Sequence, residues 1–197
     1  DLFEQAANIG NATDVLRQHH EKHGLPLEER LFRVSINRKY YNKPDQETIG
    51  LYYEQFRNET LSTLELLDII LKGATFAPSQ YQGRKNSTTW QHAELAVVDC
   101  DGLFSLTEAL RAETTKKCLF VYTTPSHGKE GKDRFRIVFG LPELCLSEGV
   151  FRKVTAKLSK EYSADTQAAN LTQHFAGNDA AKYWLFNPFG SNRKAVQ

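Results

Sequence analysis

Two aspartates one residue apart are the sharpest chemical feature of the sequence. The segment Val97–Gly102, VVDCDG, runs from an apolar stretch directly into both carboxylates. Because side chains alternate along a strand, Asp99 and Asp101 are expected on one face and Cys100 on the other. Adjacent carboxylates repel each other unless a cation lies between them, and oxygen ligands favour a hard ion such as Mg²⁺ or Mn²⁺. The pattern predicts a divalent metal site, although Asp-x-Asp-Gly is also common turn chemistry.

A second polar cluster follows the next apolar run. The chain passes through Ser126 and His127, crosses a loop that contains Lys129 and Lys132, and enters a strand at Arg134-Phe135-Arg136. Arg134 and Arg136 share a strand face by the same alternation. A hydroxyl, an imidazole and two guanidiniums in one hairpin suit a triphosphate, since arginine binds phosphate oxygens in a bidentate manner. The alternative is an exposed charged hairpin with an incidental histidine.

Asp165 is the candidate for a third acid of the metal site. It follows a segment with helical periodicity, residues 148–162, far along the chain from Asp99. Two-metal sites usually take a further carboxylate from a distant segment. The residue type alone leaves open that Asp165 is an ordinary surface acid.

Strand and helix signals alternate around these groups. Apolar or alternating runs predict strands at 31–41, 95–98, 119–122, 135–139 and 183–186. Helices are predicted in the first two dozen residues, after the capping box of Ser62 and Glu65 as far as Gly73, and over 148–162 with Val150, Val154 and Leu158 on its apolar side. Residues 78–89 are predicted to form a polar loop. The order indicates an α+β fold with helices against a mostly antiparallel sheet.

Length and charge limit the functional classes. The 197 residues with 40% hydrophobic content suit one domain, divided into lobes of about 1–90 and 91–197. The net charge of +1 does not indicate a nucleic-acid binder, so such binding must depend on local basic patches. Three cysteines without a close pair fit a reducing, cytoplasmic setting. No apolar run is long enough for a bilayer, so no membrane partner is expected.

Taken together, the motifs resemble those of the archaeo-eukaryotic primase superfamily, in particular primase-polymerases of plasmids, phages and other mobile elements. Asp99-Cys100-Asp101-Gly102 resembles motif I, the hairpin from Thr124 to Ile137 resembles motif II, and Asp165 lies where motif III places a metal acid. Gly83-Arg84-Lys85 and Phe175-Ala176-Gly177-Asn178 are also similar. The likeness runs from about Thr75 to about Phe189.

The resemblance implies template-directed nucleotidyl transfer from nucleoside triphosphates on single-stranded DNA, in a core like an RNA-recognition motif preceded by an α/β unit. It assigns two divalent ions, Mg²⁺ or Mn²⁺, to Asp99, Asp101 and Asp165. Phosphates would be held by Ser126, His127, Arg134 and Arg136, with Lys129 and Lys132 guiding the approach. The template backbone would contact Arg84, Lys85, Arg152, Lys153 and Lys157. A helicase or accessory domain outside this chain would supply further contacts to the template.

This chain departs from the family pattern at two points. Many relatives carry an arginine shortly after the motif III acid, where this chain has Gln173 and His174. The motif II histidine usually lies on the strand, whereas His127 precedes the strand and Arg136 lies on it. His127 and Arg136 are therefore joint candidates for the triphosphate contact.

Two other functional classes remain open. Haloacid-dehalogenase-like phosphatases also begin with an apolar strand and Asp-x-Asp-Gly, with Asp99 then a nucleophile, Asp101 a general acid and Thr123 or Thr124 the phosphate-binding hydroxyl. In that class the motif usually opens the fold, whereas here 98 residues precede it. A non-catalytic nucleic-acid-binding replication module would instead use exposed aromatic residues for base stacking, the candidates being Tyr52, Tyr53, Tyr81 and Trp90.

Overall fold

The structure is a computed structural model that describes residues 29–39 and 49–190. The helix expected in the first two dozen residues, and the end of the strand expected at 31–41, lie outside the described residues. Within them the strands are β1 Phe32–Asn37, β2 Arg57–Leu61, β3 Thr75–Ala77, β4 Ser79–Tyr81, β5 Trp90–Asp101, β6 Phe120–Thr123, β7 Arg134–Cys145 and β8 Tyr183–Leu185. The α-helices are α1 Ile49–Glu54, α2 Thr63–Leu71, α3 Leu106–Arg111 and α4 Glu148–Glu161.

The strands form two antiparallel sheets. The smaller has the order β2-β1-β3 and the larger has the order β4-β5-β7-β6-β8. From β5 onwards the succession is β5, α3, β6, β7, α4 and β8, which is the strand–helix–strand–strand–helix–strand succession of ferredoxin-like units. The predicted α+β class with a mostly antiparallel sheet is confirmed.

The segment predicted as a polar loop at 78–89 contains an ordered strand. Pro78 separates β3 from β4, so the chain leaves the smaller sheet and joins the larger one there, before the division expected near residue 90. The amide of Gln80 donates to the carbonyl oxygens of Val34, at 3.3 Å, and Glu59, at 3.0 Å. The loop prediction was wrong for residues 79–81, because pairing with β5 and these long-range hydrogen bonds, invisible in local composition, stabilise the extended backbone there.

Side chains of β5 alternate between two separate apolar cores. Leu95 and Val97 pack between the sheets with residues of β1 and α2. Ala96, Val98 and Cys100 pack on the opposite face, with residues that include those of α4. Asp99 therefore continues the row of Leu95 and Val97, at the point where the core between the sheets ends. The alternation alone places its carboxylate at the rim of that core.

Helix α4 buries a different face from the one predicted. Its buried residues are Phe151, Thr155 and Ser159, whereas Val150 and Val154 are exposed. The small side chains one turn apart allow the helix to approach the sheet closely, and Phe151 fills the second core. The predicted apolar side is therefore wrong at Val150 and Val154, whereas Leu158 does pack, partly buried, against the second core.

Helix α2 begins as predicted. The Ser62 hydroxyl accepts from the Glu65 N–H at 3.2 Å, and the Glu65 carboxylate accepts from the Ser62 N–H at 2.8 Å. This confirms the capping box. The helix ends at Leu71, and Gly73 has a positive φ of 90°, as expected for glycine after a helix.

The segment 175–178 connects the two sheets. Phe175 exchanges backbone hydrogen bonds with Phe76 of β3, and the Asn178 N–H donates to the carbonyl of Ile70 on α2 at 2.9 Å. The Asn178 amide also donates to the carbonyl of Thr123 on β6 at 3.0 Å. This segment therefore holds the α2 end of the smaller lobe against the larger sheet.

Gly177→Ala is expected to destabilise the protein. A Cβ at this position would lie 2.4 Å from the Ile70 carbonyl oxygen and 2.5 Å from that of Ala74. Both are backbone atoms that cannot rotate away, so we expect a loss of about 1–3 kcal/mol, as for overpacked cores. Chemical denaturation measures it. Gly149→Ala, which meets only Ser147 at 3.9 Å, is the matched control and should cause no comparable loss.

In the part of the chain that the structure covers, we find no helix whose length and apolar character would let it cross a membrane.

Candidate active site

Each aspartate of β5 lies opposite an arginine of β7. Asp99 pairs with Arg136 and Asp101 with Arg134 in the antiparallel register. The Arg136 Nε–H donates to Asp99 Oδ1 at 2.9 Å. Arg134 Nε lies 2.7 Å from Asp101 Oδ1, but this ion pair lacks hydrogen-bond alignment. Two rows of opposite charge therefore lie side by side at the end of the β5–β7 ladder.

Arg136 is nearly buried and has several partners. The Arg136 Nη1 donates to the Ala176 carbonyl at 2.7 Å and to the Tyr122 hydroxyl at 3.2 Å. The guanidinium also lies 5.3 Å from the centre of the Phe175 ring. Burial alone would lower the pKa of Arg136, but the neighbouring Tyr122 and Asp99 outweigh it and raise that pKa. Arg136 therefore stays charged and fixes the orientation of Asp99, a role that the sequence did not indicate.

Arg134 is more loosely held than Arg136. Its Nη2 lies 3.6 Å from Glu130 Oε2, and the two acids that it contacts, Asp101 and Glu130, are 72% and 69% exposed. Exposed ion pairs of this kind contribute about 0–1 kcal/mol. Arg134 can therefore change partners at little cost.

His127 lies in the loop after β6 and is fixed by the backbone. The Arg134 N–H donates to His127 Nδ1 at 3.1 Å. Because a backbone N–H can only donate, Nδ1 must be unprotonated, and a neutral ring carries its proton on Nε2. His127 therefore offers a hydrogen-bond donor on its far side.

A cleft of about 660 Å³ brings many of the expected residues together. Of the residues expected to bind metal or phosphate in the primase interpretation, it is lined by Asp99, Asp101, Asp165, Ser126, Arg134 and Arg136. The N–H of Asp165 donates to the Asp99 carbonyl at 3.3 Å, which links the distant acid to β5. The Asp165 carboxylate accepts from the Gln167 N–H at 2.8 Å and caps a short 3₁₀ turn.

The other expected phosphate contacts lie outside the cleft lining. His127, Lys129 and Lys132 are absent from it, and the two lysines are exposed. Lys132 pairs with Glu130 at 3.2 Å, and its side-chain carbons cover Gly102. These residues border the hairpin next to the cleft.

The cleft has the donor chemistry for hard cations but no preassembled metal cluster. Among residues 29–39 and 49–190, no group of three or more His, Cys, Asp or Glu side chains is arranged to hold a metal ion. The carboxylates of Asp99, Asp101 and Asp165 nevertheless line one cleft, and oxygen donors are those that Mg²⁺ and Mn²⁺ prefer. These residues fit the expected cations, provided that the carboxylates reorient.

Lys85 requires a correction. It is 4% exposed, and its Nζ donates to the Thr172 carbonyl. The ammonium lies over the rings of Tyr53, at 4.8 Å, and Phe56, at 5.1 Å. A buried ammonium cannot reach a template backbone on the surface, so the expected DNA contact does not apply to Lys85.

The remaining expected template contacts are at the surface. Arg84 is 56% exposed and lies 3.8 Å from Glu54. Three exposed cations lie on α4: Arg152, Lys153 and Lys157. All four are accessible to a polyanion.

The stability of the protein is expected to depend on pH through Lys85. Burial lowers the Lys85 pKa from 10.5 to about 7. The unfolded chain therefore binds more protons between those values, and the free energy of unfolding should rise with pH from about 7 to about 10. Lys85→Met should flatten this slope. Denaturant titrations at several pH values measure it, and Lys153→Met, an exposed control, should keep the slope of the parent.

The alternative functions are less well served by the residues they need. The Thr123 hydroxyl accepts from the Lys182 N–H at 2.9 Å, and the Thr124 hydroxyl donates to the Arg134 carbonyl at 3.3 Å. Thr123 is thus engaged with backbone and is absent from the cleft lining, whereas Thr124 lines the cleft. Tyr52 and Tyr81, proposed for base stacking, are buried at 1% and 2% exposure.

Several residues that line the cleft or hold its side chains were not identified from the sequence as parts of a site. Tyr122 holds Arg136, and the register of β6 with β7 places these residues opposite each other. Given the strand pairing, alternation would have found Tyr122. Lys72 and Asp179 also line the cleft, but they come from loops whose approach no local pattern signals.

Comparison with known proteins gives one structural neighbour. No family model and no curated protein matches the chain. In structure the chain is similar to the AEP domain of the primase-polymerase (PrimPol) of cyanophage S-2L, with 12% sequence identity, a TM-score of 0.46 and 91% of each chain covered.

Proposed function

We propose that this chain is a template-directed nucleotidyl transferase that synthesises or extends primers from nucleoside triphosphates on single-stranded DNA. The observation that supports this most is the pairing of two β5 carboxylates with two β7 guanidiniums at the rim of one cleft. A metal–triphosphate complex carries both signs of charge, and such a site offers a partner for each. A site for a simple anion would not need the acids.

In this proposal the carboxylates of Asp99, Asp101 and Asp165 hold two divalent ions, Mg²⁺ or Mn²⁺. Bound there, the ions would lower the pKa of the primer 3′-hydroxyl and neutralise charge on the triphosphate and on the leaving pyrophosphate. The 3′-oxygen forms a bond to the α-phosphorus, the bond to the bridging oxygen breaks, and pyrophosphate leaves. The hydroxyl proton passes to water.

Arg134 is suited to exchange partners as the nucleotide enters. Its present acceptors are mostly exposed carboxylates, whereas a phosphate offers bidentate, charge-assisted hydrogen bonds. Transfer of Arg134 to the triphosphate would free Asp101 for a cation. Arg136, which is held by Asp99 and Ala176, would instead stay in place and orient Asp99.

Ser126 would contact the same phosphates from the cleft wall, with His127 contributing Nε2–H from the adjoining loop. Lys129 and Lys132 are exposed and would attract the polyanion before it is bound.

The exposed cations at Arg84, Arg152, Lys153 and Lys157 would contact the template backbone. Such binding weakens as salt is added, because phosphate contacts release counterions. Since the net charge of the chain is only +1, we expect weak template affinity for this chain alone. A helicase or accessory domain outside this chain would supply the additional template affinity.

The proposal is tested by incorporation of labelled nucleotides on an unprimed single-stranded template, with and without Mn²⁺ or Mg²⁺. We expect incorporation that depends on the cation and on the template. Ribonucleotides and deoxyribonucleotides are assayed in parallel. Repeating the assay on a primed template separates extension from priming.

Two other outcomes would contradict the proposal. Release of inorganic phosphate from small phosphoesters without incorporation would indicate a phosphatase. A gel shift of oligonucleotides without either reaction would indicate a non-catalytic binding module. A control with a metal chelator is included. Any activity that persists in the chelator does not depend on a divalent ion and is assigned to a contaminating hydrolase.

A further inference from the structure

A buried lysine contacts a histidine that lines the cleft, and the proposed chemistry uses neither. Lys85 Nζ is 3.4 Å from His174 Nδ1 and donates to the Thr172 carbonyl. It lies within 4.8–5.7 Å of the ring centres of Tyr53, Phe56 and Tyr81. Burying an ammonium is costly unless its donors are used and aromatic faces surround it. The presence of a lysine under those conditions indicates that Lys85 has a specific role.

The contact with Lys85 determines which ring nitrogen of His174 carries the proton. While Lys85 is protonated, its ammonium can only donate, so Nδ1 accepts and the neutral ring carries its proton on Nε2. Burial, together with the nearby Lys85, lowers the His174 pKa to about 4. His174 is therefore an uncharged donor at neutral pH.

The imidazole is also held in place by aromatic rings. Its centre lies 5.3 Å from that of Tyr52, 5.6 Å from that of Tyr53 and 5.8 Å from that of Phe56. These are ordinary distances for packed aromatic pairs. The ring is thus fixed both in orientation and in tautomer.

His174 belongs to the same cleft as the catalytic carboxylates. It lines the cleft together with Gln173 and Tyr52. None of these side chains is charged at neutral pH, since the Tyr52 pKa is raised by burial. The cleft lining therefore combines charged groups, among them Asp101, Arg134, Lys72 and Asp179, with these uncharged hydrogen-bonding and aromatic groups, which together are called the wall here.

A nucleoside triphosphate has the same division. Its phosphates are polyanionic, whereas its sugar and base are uncharged, rich in hydrogen-bonding groups and able to stack. The cleft volume of about 660 Å³ lies within the range of small-ligand pockets, about 300–1,000 Å³. The charged groups suit the phosphates, and the uncharged wall is left for the remainder of the molecule.

We propose that the wall formed by His174 and Gln173, with Tyr52 packed against the His174 ring, binds the nucleoside part of the incoming nucleotide, with Lys85 as a positioning residue that orients His174. This inference rests on the proposed function. It adds that the wall binds the nucleoside part of the substrate, whereas the charged groups bind the phosphates. The His174 Nε2–H donates to a sugar or base oxygen, and the ring offers a face for stacking. Inorganic tripolyphosphate, which has no sugar or base, makes no contact with this wall.

The test compares two probes in titration calorimetry with Mg²⁺ present: a nucleoside triphosphate and inorganic tripolyphosphate. His174→Ala should weaken the nucleoside triphosphate about tenfold, as expected for one hydrogen bond and a ring contact, and leave tripolyphosphate binding unchanged. Arg134→Gln should weaken both probes. His92→Ala, a histidine elsewhere on β5, is the matched control and should weaken neither.

The outcomes separate the two proposals. If the parent binds neither probe, the nucleotide-binding function fails. If the parent binds both and His174→Ala weakens both equally or neither, the nucleoside subsite is overturned while the function stands. Thermal melting of each variant shows whether it remains folded, and His174→Gln, which keeps a donor in a similar volume, should recover part of the affinity.

The role of Lys85 has its own spectroscopic readout. In ¹⁵N spectra of labelled histidine recorded below pH 7, where Lys85 is charged, parent His174 should show protonated Nε2 and unprotonated Nδ1. Lys85→Met should shift that ring toward a mixture of tautomers and reduce nucleoside triphosphate affinity. An unchanged tautomer would show that Lys85 has only a packing role.

Discussion

Asp101→Asn should reduce nucleotide incorporation by about a thousandfold without destabilising the fold. The substitution removes the negative charge of one ligand in the proposed cation site, and the charge stabilisation that such cations give amounts to several kcal/mol. Asp101 is 72% exposed, so loss of its ion pair with Arg134 should change the free energy of unfolding by less than about 1 kcal/mol. Single-turnover incorporation and chemical denaturation measure the two effects.

Asp101→Asn is a cleaner test than a change at Asp99. Asp99 is 27% exposed and is the acceptor for the nearly buried Arg136, so its removal affects both catalysis and stability. Mn²⁺ binding, followed by electron paramagnetic resonance with nucleotide present, should weaken in Asp101→Asn.

Glu113→Gln is the matched control, since Glu113 is 83% exposed and pairs only with Lys116 in the part of the chain described. It should retain the incorporation rate of the parent. Parental incorporation by Asp101→Asn would remove Asp101 from the site and leave the two-metal proposal without its central pair.

The sequence predicted the two aspartates of β5 better than their contacts. Alternation along β5 is sufficient to put Asp99 and Asp101 on one face, because that inference needs only local geometry. The capping box of α2 is equally local, and it too was predicted. Both succeed because the physical cause lies within a few residues of its effect.

Contacts between distant segments could not be predicted in the same way. From the sequence, Arg136 is expected on the phosphates, yet its donors go to Asp99, Tyr122 and Ala176. Ala176 contributes a backbone carbonyl, which has no signature in residue type. Which acceptor a guanidinium finds depends on the strand register and on a loop forty residues along the chain.

Lys85 illustrates the same limit for burial. A Gly-Arg-Lys segment in a polar stretch gives no reason to expect a lysine at 4% exposure. Its surroundings come from α1, β4 and the 172–174 segment, which meet only in the folded chain. Composition predicts exposed lysines in general, and here tertiary structure overrides that tendency.

Arg136→Met is expected to reduce the stability of the protein by about 2–4 kcal/mol. The substitution keeps length and apolar packing but removes the guanidinium between Asp99, the Tyr122 hydroxyl and the Ala176 carbonyl. Losing one partner of a buried ion pair costs about 3–5 kcal/mol, and the partial exposure of Asp99, 27%, reduces that figure. Chemical denaturation measures the loss.

Arg134→Met is the matched control on the same strand. Arg134 faces Asp101 and Glu130, which are mostly exposed, so water replaces the lost contact and the cost should stay below about 1 kcal/mol. The double variant Asp99→Asn with Arg136→Met should be more stable than the sum of its single changes predicts, because no uncompensated carboxylate remains.

Kinetics of the same two variants distinguish orientation from phosphate binding. If Arg136 orients Asp99, Arg136→Met should lower kcat at temperatures where it is folded, since a misplaced cation ligand affects the chemical step. Arg134→Met should mainly raise KM for the nucleotide, because it loses a contact made before the chemical step. A stable Arg136→Met that shows only a raised KM would mean that Arg136 leaves Asp99 for the triphosphate, and the assignment of exchange to Arg134 and orientation to Arg136 would be wrong.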